Sequence, residues 1–191
     1  QCYGTRARSG SMLAASRIVN MPTDATSSAH ARASWTSAEI GLAIGSVLLI
    51  TLVAFEELAA TTIMPAVVAS FDAAAWYPVA SGAALATQLS ATVVAGALAD
   101  WKGPRLVLFG GMVLFAVGLV ISAVAPTIII FVVGRALQGL GGGLLVVPLY
   151  VLIGAVASPG HRPVFFAAFS LAWVLPSLVG PAIAGHVTEV W

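Results

Sequence analysis

The chain has 191 residues, of which 60% are hydrophobic and only 8% are charged, and its mean hydropathy is +1.03. A water-soluble domain carries roughly 25% charged residues, so this composition excludes an ordinary soluble protein and indicates an integral membrane protein. The net charge of +1 points to no nucleic-acid partner, and the single cysteine, Cys2, excludes an internal disulfide framework and a cysteine-based metal cluster.

The first 38 residues are polar and rich in Ser, Thr, Ala and Arg. They contain no apolar run long enough for a signal-peptide core, and their composition predicts a disordered tail. Residues 39–191 form the predicted membrane domain. Since the sequence begins with Gln and ends in an apolar run, we expect it to be a fragment of a longer chain.

Five continuous apolar runs predict an all-α membrane domain. The predicted helices cover residues 40–68, 76–99, 106–125, 128–153 and 164–185. Runs of 20 or so apolar residues argue against a β-barrel, whose strands alternate over about ten residues. The fold class is therefore all-α, with five transmembrane helices.

The basic residues predict the orientation of these helices. With a cytoplasmic N-terminus, seven of the eight Lys and Arg residues fall on the cytoplasmic side and none on the outer side, Arg135 being within the membrane. The seven are Arg6, Arg8, Arg17, Arg32, Lys102, Arg105 and Arg162. The positive-inside rule thus predicts a multi-pass protein of the cell membrane with its N-terminus in the cytoplasm.

A short charged turn at residues 100–105 separates the second and third predicted helices. Asp100, Lys102 and Arg105 lie between two long apolar runs without charge. Such a group fits a water interface better than a core, so we expect it to connect two membrane helices on the cytoplasmic side.

Arg135 is the first of three charged residues within the predicted helices that are candidates for function; the other two are Glu56 and Glu57. An arginine in the hydrocarbon costs about 2.5–3.5 kcal/mol on insertion scales unless it is paired or hydrated. Arg135 is therefore interpreted either as a structural clasp to Gln138, one turn further on, or as part of a polar cavity. Gly139 and Gly143, four residues apart, predict a close-packing helix face.

Glu56 and Glu57 interrupt the first helix well inside the bilayer. Adjacent helical residues point about 100° apart, so only one of them can face a given cavity. Glu57 lies in line with Thr61 and so shares the more polar face. A buried carboxyl that competes with an arginine can act as a proton-coupled switch, whereas a protonated or snorkelling glutamate would be purely structural.

The fifth helix carries a small or kinking residue at every fourth position. These residues are Ala168, Ala172, Pro176, Gly180 and Ala184. The stripe predicts close approach of a neighbouring helix. Trp173 is interpreted as a packing or lipid-facing side chain, with a cavity wall as the alternative.

The lack of a His cluster, a Cys pair or a G-x-S-x-G elbow argues against an enzyme, and no metal or cofactor is expected.

Three motifs resemble those of the N-terminal half of a major facilitator superfamily transporter. The loop motif G-x-L-A-D-x-x-G-x-[RK] is matched by Gly96, Leu98, Ala99, Asp100, Gly103 and Arg105, while Trp101 and Pro104 depart from it. The R-x-x-Q-G-x-G signature of helix 4 is matched by Arg135, Gln138, Gly139 and Gly141. The G-P-x-x-G-G motif of helix 5 in antiporters is matched by Gly180, Pro181 and Gly185, with Ala184 in place of the first closing Gly, and Pro176 lies one turn earlier.

The first helix resembles the corresponding segment of drug exporters when it is aligned on Pro65. In that register Glu56 falls at the position of an acidic residue, whereas the polar face favours Glu57. The resemblance implies five of the six helices of one transporter half, a missing C-terminal half, and either 12 or 14 helices in all. Residues 96–105 would then serve conformational switching.

The resemblance implies proton-coupled export of drugs or other amphipathic compounds, with the small molecule, protons and the lipid bilayer as partners. Glu56 or Glu57, Arg135 and Gln138 would form the coupling site. Two alternatives stay open, an importer of a sugar or metabolite by proton symport and a non-transporting fragment. Counting along the helices places Glu56 and Arg135 about 10 Å apart axially, so a direct pair requires a tilted helix or different helix ends.

Overall fold

The computed structural model describes residues 34–190, and this part of the chain is helical apart from short connections. The helices are α1 (Ser37–Ser70), α2 (Tyr77–Lys102), α3 (Pro104–Ala123), α4 (Ile128–Val156) and α5 (Arg162–Val190). A single 3-10 turn, Ala74–Trp76, connects α1 to α2. Most of the predicted tail, residues 1–33, lies outside the described residues.

All five described helices are long and apolar enough to cross a membrane. They contain between 20 and 34 residues, and a helix of 20 residues already spans about 30 Å, the thickness of the hydrocarbon core. The predicted all-α fold with five transmembrane helices is therefore confirmed.

The predicted turn at residues 100–105 is much shorter in the structure. Helix α2 continues to Lys102 and α3 begins at Pro104, so Gly103 alone separates them. Gly103 has φ +86°, a conformation that glycine adopts without strain, and Pro104 suits a first helical position because no N–H is needed there. The charged residues thus lie on helix ends rather than in a loop.

The fifth helix, predicted from residue 164, begins two residues earlier in the structure. Helix α5 begins at Arg162, so Pro163 lies in its first turn, where its missing N–H is again not required. The Arg162 guanidinium turns back to the preceding helix and donates hydrogen bonds to the Ala157 and Gly154 carbonyls of the end of α4. The connection between α4 and α5 is therefore short and hydrogen-bonded.

Helix α4 is the centre of the bundle. Half of its most apolar window is buried, against 22–28% in the other four helices. It packs along α2 and α3, whereas α1 packs mainly along α5. Apolar clusters then join α1 to α4, for example Val53 of α1 with Leu145 of α4.

Candidate functional site

Glycines on two faces of α4 let its neighbours approach to backbone contact. An added Cβ at Gly139 would lie 2.7 Å from the carbonyl carbon of Ala84 on α2, and one at Gly143 would lie 2.7 Å from Ala91 Cβ. On the side facing α3, a Cβ at Gly141 would lie 2.6 Å from Phe115 Cα. The close packing predicted for Gly139 and Gly143 is present.

Arg135 and Gln138 precede these glycines on α4, and both are buried, with 5% and 1% of their surfaces exposed. Arg135 Nη1 donates to Glu56 Oε1 of α1 and to Gln138 Oε1 at 3.1 Å. The direct pair between Glu56 and Arg135 is thus formed, although counting residues along the helices suggested an axial offset. A charge-assisted hydrogen bond of this kind joins α1 to α4 in the interior of the bundle.

The Glu57 side chain contacts α2, whereas the Glu56 side chain contacts α4. The Glu57 carboxyl lies beside the Gln88 amide of α2, on a different side of α1 from Glu56. Thr61, which was expected to share the polar face of Glu57, is exposed and donates its hydroxyl to the Leu58 carbonyl at 2.8 Å. Of the two adjacent glutamates, the structure therefore brings Glu56 to Arg135.

A polar cavity of about 380 Å³ contains this pair. It lies between α1, α3 and α4, and Glu56, Arg135 and Gln138 are on its wall. Most other lining residues are apolar, such as Met64 and Phe131. The cavity combines a small group of fixed polar atoms with an apolar wall, as small-molecule sites commonly do.

An aromatic cavity of about 280 Å³ lies between α1, α2, α4 and α5. Tyr150, Phe166, Phe169 and Trp173 form part of its wall, and Gln88 supplies a polar group. Trp173 is 46% exposed, so part of its side chain faces outward. Another part contributes to the cavity wall. Gln88 was not singled out from the sequence, where no spacing links it to Glu57.

The residues of the loop motif lie at the junction of α2 and α3, away from both cavities. Asp100 and Arg105 are exposed, and Gly96 is half-buried with Val147 3.9 Å from the position of an added Cβ. Lys102 Nζ lies 5.1 Å from the Trp101 ring centroid. The structure therefore does not bring these residues together with Glu56 and Arg135.

The stripe of α5 faces α1. Ala172, Pro176 and Gly180 are buried, and an added Cβ at Gly180 would meet Leu58 Cβ at 3.6 Å. Pro181 is exposed and Gly185 is half-buried further along the helix. Within the described part of the chain, no group of three or more His, Cys, Asp or Glu residues could hold a metal ion.

A second polar cluster, at the start of α1, was missed by sequence reasoning. Glu39 is 1% exposed and accepts hydrogen bonds from the Ser158 N–H at 2.7 Å and the Ser158 hydroxyl at 2.8 Å. His161 Nδ1 lies 3.3 Å from the same carboxylate, and the His161 ring stacks on Trp35 with centroids 4.2 Å apart. These contacts tie the start of α1 to the connection between α4 and α5.

The signal for part of this cluster is in the sequence. Thr36 and Glu39 form a capping box, because the Glu39 N–H donates to Thr36 Oγ1 at 3.2 Å and the Thr36 N–H donates to Glu39 Oε2 at 3.0 Å. A Thr followed three residues later by Glu, directly before an apolar run, is a sequence signature of a helix start. It would have placed the beginning of α1 at residue 37.

Comparison with known proteins assigns the family. The model of the Major Facilitator Superfamily matches residues 42–191. Similar proteins include an uncharacterized transporter of Schizosaccharomyces pombe, 29% identical over 76% of this chain, and the multidrug transporter protein MdtP of Bacillus subtilis, 28% identical over 67%. The efflux pump dotC of Dothistroma septosporum is 28% identical over 76% of the chain.

The chain spans about a quarter of the length of these relatives, the matched parts being 24–25% of each. No solved structure gives a significant match to it. The relatives are named as transporters or an efflux pump, in agreement with the prediction of a transporter rather than an enzyme. Since the family model covers most of the residues and the fold has the expected helices, the chain belongs to the Major Facilitator Superfamily.

Proposed function

We propose that the full-length protein exports small amphipathic compounds in exchange for protons. The observation that carries this proposal is the ion pair between Glu56 and Arg135 within the membrane-spanning helices. Two charges inside a bilayer are costly unless they are paired, and such groups commonly mark proton or substrate paths. The names of two relatives, a multidrug transporter and an efflux pump, agree with this substrate class.

In this mechanism the ion pair is the element that protonation changes. When Glu56 takes up a proton it loses its charge and its attraction to Arg135 weakens, while the hydrogen bond from Arg135 to the neutral Gln138 amide does not depend on that charge. A proton or a substrate can shift the balance between inward-open and outward-open states only by binding one of them better. The substrate would bind near the middle of the membrane, between this half and the missing half of the chain.

The same proposal includes an orientation and a location. The charge bias along the sequence supports a cytoplasmic N-terminus and a cytoplasmic junction of α2 and α3, in a protein of the cell membrane. Single cysteines in a Cys2-free variant, treated with an impermeant maleimide from outside, should be labelled at position 72 and not at position 102. The reverse labelling would overturn the orientation.

The junction of α2 and α3 is proposed to act in switching rather than in substrate binding. Asp100 and Arg105 are exposed and line neither cavity. Asp100→Asn in the full-length protein should therefore lower the transport rate while leaving substrate affinity unchanged. A loss of affinity at normal turnover would contradict this role.

The central test is efflux of a fluorescent amphipathic dye from vesicles that contain the full-length protein and carry an imposed pH gradient. Export should follow the gradient, stop with a protonophore, and be lost in Glu56→Gln. Glu57→Gln serves as the matched control, because that neighbouring carboxyl lies beside Gln88, whereas the hydrogen bond from Arg135 goes to Glu56. Dye movement in the same direction as the protons would favour symport instead. Full gradient-driven export in both variants would show that the two glutamates are structural.

A further inference from the structure

A buried carboxyl group outside the two cavities, that of Glu39, has no part in the mechanism proposed above. Glu39 lies in the first turn of α1 and is 1% exposed. Burial of a carboxylate is costly unless hydrogen-bond donors satisfy its oxygens. The donors that Glu39 has found therefore indicate what it does.

The two carboxylate oxygens of Glu39 accept hydrogen bonds from different parts of the chain. Oε2 accepts from the Thr36 N–H at 3.0 Å and the Thr36 hydroxyl at 3.2 Å, within the capping box of α1. Oε1 accepts from the Ser158 N–H and hydroxyl, and His161 Nδ1 lies 3.3 Å from it. A capping box needs only one oxygen of its carboxylate. The other oxygen joins α1 to the connection between α4 and α5.

Helices α1 and α5 keep the same register from this contact to their middle. Near the start of both helices, Glu39 lies beside His161. Further along, an added Cβ at Gly180 would lie 3.6 Å from Leu58 Cβ. Leu58 is 19 residues after Glu39, and Gly180 is also 19 residues after His161. The two helices therefore run parallel and advance together over about 28 Å.

The apolar contacts between α1 and α5 select this register only weakly. Ala43 and Val47 of α1 pack against the apolar cluster that contains Phe165 and Phe169 of α5. Apolar contacts are non-directional, and a small residue such as Gly180 leaves a smooth surface for a neighbouring helix. A hydrogen bond is short and directional. A shift of α1 by one residue, about 1.5 Å, is enough to break the bond of 2.7 Å from the Ser158 N–H to Glu39.

We propose that Glu39 is a positioning residue, whose hydrogen bonds from Ser158 fix the axial position of α1 along α5. Because α1 also carries Glu56, the same contact sets the height at which Glu56 meets Arg135. A slip of α1 by one residue at its start moves the Glu56 carboxyl by the same distance, about 1.5 Å. The inference deepens the proposed function and rests on it only for the effect on transport.

Disulfide cross-linking in the full-length, Cys2-free protein tests the register independently of transport. The in-register pair is Leu58→Cys with Gly180→Cys, because a Cβ–Cβ distance of 3.6 Å lies within the range of a disulfide. The shifted pair is Thr62→Cys with Gly180→Cys, whose first cysteine lies about 6 Å further along α1. With Glu39 in place, the in-register pair should cross-link on mild oxidation and the shifted pair should not.

Three variants change the proposed contact itself. Glu39→Ala should slow cross-linking of the in-register pair at least about threefold and allow the shifted pair to form, because hydrogen bonds to a charged group are lost. Glu39→Gln keeps an acceptor oxygen for Ser158 and should restore the wild-type pattern. Ser158→Ala removes the hydroxyl donor alone and should change both pairs in the same direction as Glu39→Ala, by a smaller factor. It decides the question if Glu39→Ala does not fold.

Thr36→Val is the matched control at the start of the same helix. It removes the hydroxyl of the capping box and leaves both hydrogen bonds from Ser158 to Glu39. It should lower the temperature of thermal unfolding, as the loss of a cap does, yet leave cross-linking of both pairs within about twofold of the wild type. An unchanged pattern in every folded Glu39→Ala or Ser158→Ala protein, or an equal change in Thr36→Val, would overturn the positioning role.

Gradient-driven export of the fluorescent dye connects the register to transport. Glu39→Ala should lower the maximal rate of export at least about threefold, and Glu39→Gln should restore it. If cross-linking changes as expected but the wild type shows no gradient-driven export, the proposed exchange fails while the positioning role stands. Gradient-driven export in the wild type together with unchanged cross-linking in Glu39→Ala would retain the exchanger and reject the role of Glu39.

Discussion

Helix α4 contacts its neighbours through two interfaces of different construction. Towards α2 and α3 it presents glycines, and backbone meets backbone at Gly139 and Gly141. Towards α1 it presents side chains, including Arg135, and the two cavities lie on this side of α4. The first interface leaves little space for rearrangement, whereas the second contains both the space and the charges that a change of state needs. We infer that α2, α3 and α4 act as a scaffold against which the contacts of α1 can change.

The largest expected effect comes from breaking the ion pair in the interface with α1. Arg135→Met leaves the Glu56 carboxylate buried without a partner, which should lower the free energy of unfolding by about 3–5 kcal/mol. The double variant Glu56→Gln/Arg135→Met removes both charges and should recover most of the loss. Chemical unfolding of the full-length protein in detergent measures both. If the double variant is no more stable than Arg135→Met, the pair is not what stabilises this contact.

A smaller effect is expected from a single methyl group in the glycine interface. Gly139→Ala places a Cβ against the Ala84 backbone and the Thr87 hydroxyl and should cost about 1–3 kcal/mol of unfolding free energy. Gly142→Ala is the matched control on the same helix, because its Cβ would meet nothing closer than 3.8 Å. It should be neutral, or stabilise by up to about 1 kcal/mol through helix propensity. Equal losses in the two variants would contradict the backbone contact.

The smallest effect is expected where α5 packs on α1. Gly180→Ala adds the same methyl group, but Leu58 and Phe55 lie 3.6–3.7 Å from it, which is ordinary van der Waals distance. The unfolding free energy should change by less than about 0.5 kcal/mol. Thermal unfolding of this variant beside Gly139→Ala compares the two interfaces directly. A loss as large as that of Gly139→Ala would show that both interfaces are equally tight.

The glycine interface could be predicted from the sequence and the contacts of α1 could not, for a physical reason. Glycines four residues apart lie on one face of any α-helix, so Gly139 and Gly143 identify a packing surface without knowledge of the partner. Arg135 and Gln138 are neighbours for the same reason. The contact of Arg135 with Glu56 depends on how far α1 is shifted along α4, and counting residues from predicted helix ends argued against the direct pair that the structure forms.

The remaining differences also concern contacts between distant segments or local turn geometry. The hydrogen bonds from Ser158 to Glu39 join residues 119 apart in sequence, and only the capping box of Thr36 and Glu39 was visible locally. The turn between α2 and α3 was predicted as six residues because its charges suggested an exposed loop. A single glycine with positive φ followed by proline is sufficient for the reversal.

The most direct test of the account is to separate proton coupling from substrate movement in Glu56→Gln. In vesicles of the full-length protein, dye exchange is measured at equal pH on both sides, and export is then measured with a pH gradient. We predict that Glu56→Gln keeps exchange at equal pH and loses gradient-driven export, because the substrate path is intact and only the protonatable partner of Arg135 is gone. Gradient-driven export at the wild-type rate in Glu56→Gln would contradict the role of this ion pair as the coupling element.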